Sequence, residues 1–216
     1  MDSQKKREVV ITSVIYPSER PLSYSPVRSV FSASERSFQT IRTIDSVRSY
    51  YKNAHISLIE MGLSESIPSE LRSSVDKFIF VGDKKIVRWA CDSRHKGLGE
   101  AIGLIAAGGA IKNLGDYYVK ISGRYFLTES FKPELWEGDN IVVRKYSEDI
   151  STRLYGFPSG LFSAWQMALL KSIPWLLAGN QIEHVLPKYL PTKLIKYVDK
   201  LGIAGAVSPN GKFLEE

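Results

Sequence analysis

A single α/β domain built on a wound, mostly parallel central sheet flanked by helices is the fold class this sequence predicts, and three observations carry the reading. Short apolar, β-branched runs recur at 9–16, 55–60, 78–81 and 117–121. Stretches with apolar residues at helical spacing lie between them. The length of 216 residues fits one such domain and no long repeat array. Strands alternating with helices call for parallel pairing through crossover connections.

The first strand is Val9-Val10-Ile11-Thr12-Ser13-Val14-Ile15-Tyr16, ended by Pro17. The proline- and serine-rich stretch 17–34 predicts an irregular loop over the sheet end, and loops of that length in compact domains are usually functional. Phe38, Ile41, Ile44, Val47 and Tyr51 then predict the first crossover helix, with Ser34 as its N-cap. His55–Glu60 reads as a strand, Pro68–Val75 as a short helix and Phe78–Val81 as a third strand. After a turn at Arg94–Gly97, Leu98, Ala101, Ile102 and Ile105 form an apolar helical face, and Tyr117–Ile121 returns as a strand. The second half is less regular. It offers a strand at Ile141–Lys145, a helix around Ala164–Lys171 that Pro174 interrupts, and a helical stretch from Thr192 to Leu201. No linker separates two domains, so the expectation is one domain over 1–216.

Composition narrows the class. The chain is 44% hydrophobic, 11% aromatic and 24% charged, enough to bury a core and ordinary for a globular protein. The lone Cys91 can form no internal disulfide and cannot build a cysteine zinc site, which points to a reducing compartment. No signal-peptide h-region follows the basic start, and no stretch of about 18 residues is free of charge and proline. The expectation is a cytoplasmic protein. A formal charge of +6 favours anionic partners.

Ligands of wound sheets bind beyond the carboxyl ends of the strands, here Ser13–Tyr16, Glu60–Ser64 and Ser122–Tyr125. Two motifs carry chemistry there. Arg94-His95-Lys96-Gly97-Leu98-Gly99-Glu100-Ala101 is a basic, glycine-containing turn entering a helix, suited to a diphosphate or a sugar hydroxyl, and equally readable as a glycine turn with a surface lysine. Its glycine spacing is not the dinucleotide fingerprint. In Lys120-Ile121-Ser122-Gly123-Arg124-Tyr125-Phe126-Leu127 an apolar strand ends in a polar, basic turn.

The order of these pieces, a basic glycine turn, an Ala- and Gly-rich helix, the Gly115-Asp116 turn and a strand with a polar end, resembles the donor-binding half of the GT-A glycosyltransferases. The resemblance covers about residues 8–127, with weaker support to about 208. It implies a nucleotide-sugar-binding half followed by an acceptor half, a nucleoside-diphosphate sugar donor, and a glycan or other hydroxyl acceptor. Under it Thr12, Ser13 and Tyr16 with the turn containing Glu60 and Gly62 hold the nucleoside. Arg94, His95, Lys96, Gly97, Gly99, Lys120, Ser122, Gly123, Arg124 and Tyr125 surround the diphosphate and sugar.

One departure matters. The superfamily's Asp-x-Asp is absent from the chain, and Ser122-Gly123-Arg124 stands in its place. In metal-dependent members those carboxylates hold Mn²⁺ or Mg²⁺ against the diphosphate. Lys120 and Arg124 carry the same sign of charge, so the expected transfer is metal-independent or only weakly assisted by Mn²⁺ or Mg²⁺, with no cofactor required. Glu137 and Asp139 are a weaker alternative metal site, in a turn.

For a general base the resemblance points to the acceptor half. Glu183 is preferred over Glu148-Asp149, with His184 as a neighbour for phosphate or acceptor, although Glu183 also reads as an ordinary first-turn helix residue. Tyr155-Gly156-Phe157-Pro158-Ser159-Gly160-Leu161-Phe162 reads either as an aromatic acceptor loop or as core edge. Leu169–Ala178, with Trp175 beside Lys171, reads as a buried helix or as a peripheral membrane contact. The rival functions are a nucleotidyltransferase, which lacks its glycine-rich loop after the first strand here, and a basic nucleic-acid-binding module. The basic residues sit at motif turns and form no continuous run, so no nucleic acid is expected.

Overall fold

A computed structural model describes residues 6–216. The central strand is β1 (Arg7–Ser13), where Val9, Val10 and Ile11 are buried and alternate between the two faces of the sheet. Two parallel neighbours flank it. They are β2 (His55–Glu60), with Thr12 opposite Ile59, and β4 (Tyr117–Ser122), with Thr12 opposite Ser122. With β3 (Lys77–Phe80), β6 (Ile141–Tyr146), β7 (Asp149–Ile150) and β8 (Leu154–Pro158) the order is β3-β2-β1-β4-β8-β6-β7, and β9 (Ile195–Val198) pairs in parallel with β6. The first four strands are parallel, while β8 runs antiparallel to β4. A small antiparallel sheet, β11 (Phe213–Glu215), β10 (Ile203–Ala206) and β5 (Tyr125–Leu127), continues from the end of β4.

Two apolar cores cover the two faces of the large sheet. One lies under α3 (Lys85–Asp92), α4 (Lys96–Ile111) and α5 (Phe162–Leu177), and joins Val10, Ile59 and Tyr118 to Leu98, Ala101 and Trp165. The other lies under α1 (Ala33–Tyr50) and joins Val9, Ile11 and Val119 to Ile44, Val47 and Trp136. Two short helices complete the chain, α2 (Ser69–Ser73) and α6 (Ile182–Val185).

Several elements differ from the sequence reading. Helix α1 is capped by Ser32, not Ser34: the Ser32 hydroxyl accepts from the Glu35 N–H while the Glu35 carboxylate accepts from the Ser32 N–H. The segment assigned no element after β3 forms α3, whose eight residues bury only Val87 and Ala90 deeply. Helix α5 runs through Pro174 to Leu177. The hydrogen bond that Pro174 cannot make is to the carbonyl of exposed Leu170, in the last turn, and burial of Leu169 and Leu176 on either side holds the helix together. The stretch from Thr192 to Leu201 is not a helix. After one turn at Thr192–Leu194 it pairs as β9 with β6, because an unpaired sheet edge outweighs local periodicity. Of the two readings of Tyr155–Phe162, the core one holds for its rings: Tyr155, Phe157 and Phe162 are at most 5% exposed and pack among Tyr118 and Trp165.

Candidate functional site

Strand β1 lies between β2 and β4, and the chain winds outward from it in both directions, so the crevice beyond the carboxyl ends of β1 and β4 is a topological switch point. A cleft opens there. Its walls are Thr12, Ser13 and Val14 from the end of β1, Ser122, Gly123 and Arg124 from the end of β4, Met61 after β2, and Lys96, Gly99 and Glu100 from the first turn of α4. The irregular segment after β1 roofs it with Pro17, Ser18, Leu22 and Arg28, and α1 and α3 add Arg36, Thr40, Arg88 and Cys91.

The electrostatics are one-sided. Among the described residues, five basic side chains, Arg28, Arg36, Arg88, Lys96 and Arg124, face a cleft whose one acidic lining residue is Glu100. Glu100 is already neutralised, since the buried Lys120 ammonium donates to it, to Ser122 Oγ (3.1 Å) and to the Thr152 carbonyl (2.8 Å). Arg88 pairs with Asp92 at 3.0 Å. Arg28, Arg36, Lys96 and Arg124 remain without an ion-pair partner among the described residues.

Burial and, second to it, crowding of like charge act on two of them. Burial, and then the nearby Arg124, lowers the Lys96 ammonium to about 7. The same two causes lower Arg36 to about 9. Burial raises the Cys91 thiol to about 11, which makes it an inert wall residue. An anion with two or more charges relieves this repulsion more than water does.

Arg36 also builds the roof. It donates to the Val14 carbonyl, to Ser29 Oγ (2.9 Å) and to Ser208 Oγ (3.1 Å), while Ser208 Oγ donates to the Arg28 carbonyl (3.0 Å). Arg28 in turn donates to the carbonyls of Arg20 (2.7 Å) and Ser93. The long loop is thus tied to α1, to the start of α4 and to the C-terminal segment.

Of the residues singled out in the sequence, Thr12, Ser13, Lys96, Gly99, Ser122, Gly123 and Arg124 meet in this cleft. The others lie elsewhere. Lys120 is 1% exposed, because strand alternation turns it under α4 toward Glu100, so it stands beneath the cleft and is not one of its free cations. Glu60 is fully buried and clamps the loop after β1: its Oε1 accepts from the N–H groups of Ile15 (2.9 Å) and Gly62 (2.8 Å). A Cβ at Gly62 would sit 2.4 Å from that oxygen, so this glycine serves the clamp and not a ligand. Tyr16 is partly exposed and holds the clamp through its backbone, its carbonyl accepting from Leu63 N–H (2.8 Å).

Arg94 is exposed and only its carbonyl works, accepting from Ser23 N–H (3.0 Å). His95 packs beside Gly179, and Gly97 against Ile182. Tyr125 is buried at the small sheet, where its hydroxyl accepts from Arg153 Nε (3.1 Å). His184 bonds Asp149 (2.8 Å) and Lys188 (2.8 Å) at the surface. Glu183 does not line the cleft, but its charge acts on Lys96 and on Tyr24, and its carboxylate accepts one hydrogen bond, from Thr152 Oγ1 (3.0 Å). Glu137 and Asp139 are exposed, and Glu137 pairs with Arg7 at 3.7 Å. No group of three His, Cys, Asp or Glu that could hold a metal ion occurs among the described residues.

Arg28, Arg36 and Arg88 were missed. A signal existed for Arg36, which stands on the buried stripe of α1 with Thr40, Ile44 and Val47, where a charge has no business unless it is used. Arg28 sits in a loop without pattern, and Arg88 on a helix too short to be seen.

No family model matches the chain, and no curated protein matches it. Solved structures do. The galactosyltransferase LgtC, solved in complex with donor and acceptor sugar analogues, superposes with a TM-score of 0.55 at 12% identity, over 88% of this chain and 73% of that one. The apo glycosyltransferase GlyE of Streptococcus pneumoniae TIGR4 gives 0.56 at 12% identity, over 90% and 45%. The fold is that of the GT-A glycosyltransferases. The bifunctional glycosyltransferase WbbM extends the likeness, with a TM-score of 0.55 at 9% identity over 92% of this chain. The chain spans less than half of GlyE and 39% of WbbM. No described helix is long and apolar enough to cross a membrane; α5 buries Leu169 and Leu176 and exposes Met167, Leu170, Trp175 and Leu177.

Proposed function

We propose that the chain transfers a sugar from a nucleoside-diphosphate sugar to a hydroxyl of a glycan or another acceptor, and that it holds the diphosphate with side-chain cations in place of a divalent metal. The observation that carries this is the cleft at the switch point, with Arg28, Arg36, Lys96 and Arg124 unpaired around it. Where the GT-A resemblance expects the metal-binding carboxylates, this chain has Ser122-Gly123-Arg124. The nearest carboxylates are committed, Glu100 to Lys120 and Glu60 to two backbone N–H groups. That donor set does not fit a divalent cation.

In this reading Thr12, Ser13 and Met61 border the nucleoside, and Arg36, Lys96 and Arg124 bind the diphosphate. As the acceptor oxygen bonds to the anomeric carbon, the carbon–phosphate-oxygen bond breaks and its electron pair leaves with the diphosphate. The cations stabilise the charge that develops there. Glu183, which has no cation paired to it among the described residues, takes the acceptor proton. Thermal shift with UDP-, GDP- and dTDP-sugars in EDTA, and with a CMP-sugar as the monophosphate comparison, tests the proposal: stabilisation by at least one of the three diphosphate donors is expected, while stabilisation by none of them, by the CMP-sugar alone, or only when Mn²⁺ is added overturns it.

A further inference from the structure

Helices α3, α4 and α5 pack side by side on one face of the large sheet, with α4 in the middle, and the surface they turn away from the sheet is apolar. Ile86 and Trp89 of α3 and Met167, Leu170, Trp175 and Leu177 of α5 are each 45–54% exposed. Between them α4 contributes half-buried Ile105 and Ala106 and the bare backbone of Gly109, where an added Cβ would meet nothing. A surface of this kind marks an interaction site. On α5 it is a stripe: Met167, Leu170, Pro174, Trp175 and Leu177 recur at helical spacing opposite the buried Trp165, Leu169, Ser172 and Leu176.

Charge selects the occupant. The three helices carry only two carboxylates, Asp92 and Glu100, and both are paired, with Arg88 and with Lys120. No Asp or Glu occurs from 150 to 182. Exposed lysines border the apolar surface, Lys84 and Lys85 at α3, next to Asp83, Lys171 within the α5 stripe, and Lys188 beyond it. The Lys188 ammonium lies against His184, which binds the nearby Asp149. A second copy of the chain would bring the same lysines and no free carboxylate to meet them, whereas lipid phosphates supply the anion and acyl chains the apolar contact. The depth is set by two polar groups. The Trp175 indole N–H donates to the Tyr189 hydroxyl at 2.7 Å, so the ring enters an apolar layer with its polar atom satisfied. Pro174 deprives the Leu170 carbonyl of its helix bond, and that oxygen needs water or a headgroup, which keeps α5 at the interface and out of the hydrocarbon.

We infer that the outer surface of α3, α4 and α5 docks on an anionic phospholipid bilayer, with the α5 stripe lying in the headgroup layer and Lys85, Lys171 and Lys188 against lipid phosphates. Flotation of the full chain with vesicles of phosphatidylcholine, alone or mixed with phosphatidylglycerol, at low ionic strength tests it. Binding to the mixed vesicles and little to phosphatidylcholine alone is expected. Leu170→Ser and Leu177→Ser each weaken it about three- to tenfold. Lys171→Glu weakens it about tenfold or more, while Lys52→Glu, the same charge change beyond the end of α1 on the other side of the sheet, weakens it about twofold or less. Thermal melting checks that each variant folds, and if a serine variant melts early the comparison of Lys171→Glu with Lys52→Glu decides alone. Absence of binding to the mixed vesicles, or binding that folded Leu170→Ser and Leu177→Ser leave unchanged, overturns the assignment. Equal losses in Lys171→Glu and Lys52→Glu would show attraction by net charge alone and also overturn it. So would self-association of the chain that the serine substitutions abolish and vesicles do not displace, since a second copy would then cover this surface.

Discussion

In the free protein at neutral pH the Lys96 ammonium is about half protonated, because burial and the Arg124 charge lower it to about 7. A nucleoside-diphosphate sugar carries a diphosphate esterified at both ends, whose charges do not titrate between pH 6 and 9. Placing that dianion beside Lys96 restores its charged form, so binding takes up a proton. Lys96 in the free protein is about one-tenth protonated at pH 8 and about nine-tenths at pH 6. Uptake on binding is therefore about 0.9 proton at pH 8 and about 0.1 at pH 6, and affinity falls about tenfold per pH unit above 7.

Calorimetric titration in two buffers of different ionisation enthalpy, at both pH values, measures this directly. Lys96→Met abolishes the difference. Equal uptake at the two pH values, or uptake that persists in Lys96→Met, would refute the placement of the anion at Lys96. The same group sets a stability trend of known sign. Its native pKa lies below the ordinary 10.5, so the unfolded chain binds more protons between pH 7 and 10.5, and the free protein gains stability as pH rises through that window.

Arg36→Met removes one cation of the cleft and the donor that ties Val14, Ser29 and Ser208 together. The expected net loss is about 1–3 kcal/mol of stability, softened because a buried charge is removed as well, together with at least a tenfold weaker sugar-nucleotide affinity by calorimetry. Gly205→Ala places a Cβ 2.2 Å from the Arg124 carbonyl oxygen, a backbone atom that cannot step aside. It is expected to lower the melting temperature and weaken binding together, and an unperturbed variant would show that the β5–β10 register is wrong. Glu183→Gln keeps the hydrogen bond from Thr152 and loses the base, so turnover falls about 10²- to 10⁴-fold in a transfer assay with donor affinity preserved.

The first half of the fold was legible because its signals are local. Val9, Val10 and Ile11 announce a doubly buried strand, and α1 and α4 are long enough for their apolar stripes to show. The second half was not, because its elements are decided by partners. The stretch from Thr192 to Leu201 has helical spacing, yet β6 offered a free edge. Pro174 reads as a stop, yet stands where the lost bond is to a solvent-facing carbonyl.

The site divides along the same line. Lys96 and Ser122-Gly123-Arg124 sit at chain turns that a strand-helix reading locates, so they could be found. Lys120 lies beneath the cleft and not in it, because strand alternation puts it on the same face as Tyr118 and that face is covered by α4. Arg28 reaches the cleft from a loop whose path is fixed by bonds to Arg20, Ser93 and Ser208, residues up to 180 positions away, and no local pattern encodes that.

A crystal structure of the chain with a bound nucleoside-diphosphate sugar, grown in EDTA, tests the cationic cleft most directly. The expected result is a diphosphate lying between Arg36, Lys96 and Arg124 with the nucleoside against Thr12 and Ser13. A diphosphate bound away from these three side chains, or one that binds only when a divalent ion is added and is held through it, would contradict the proposed chemistry.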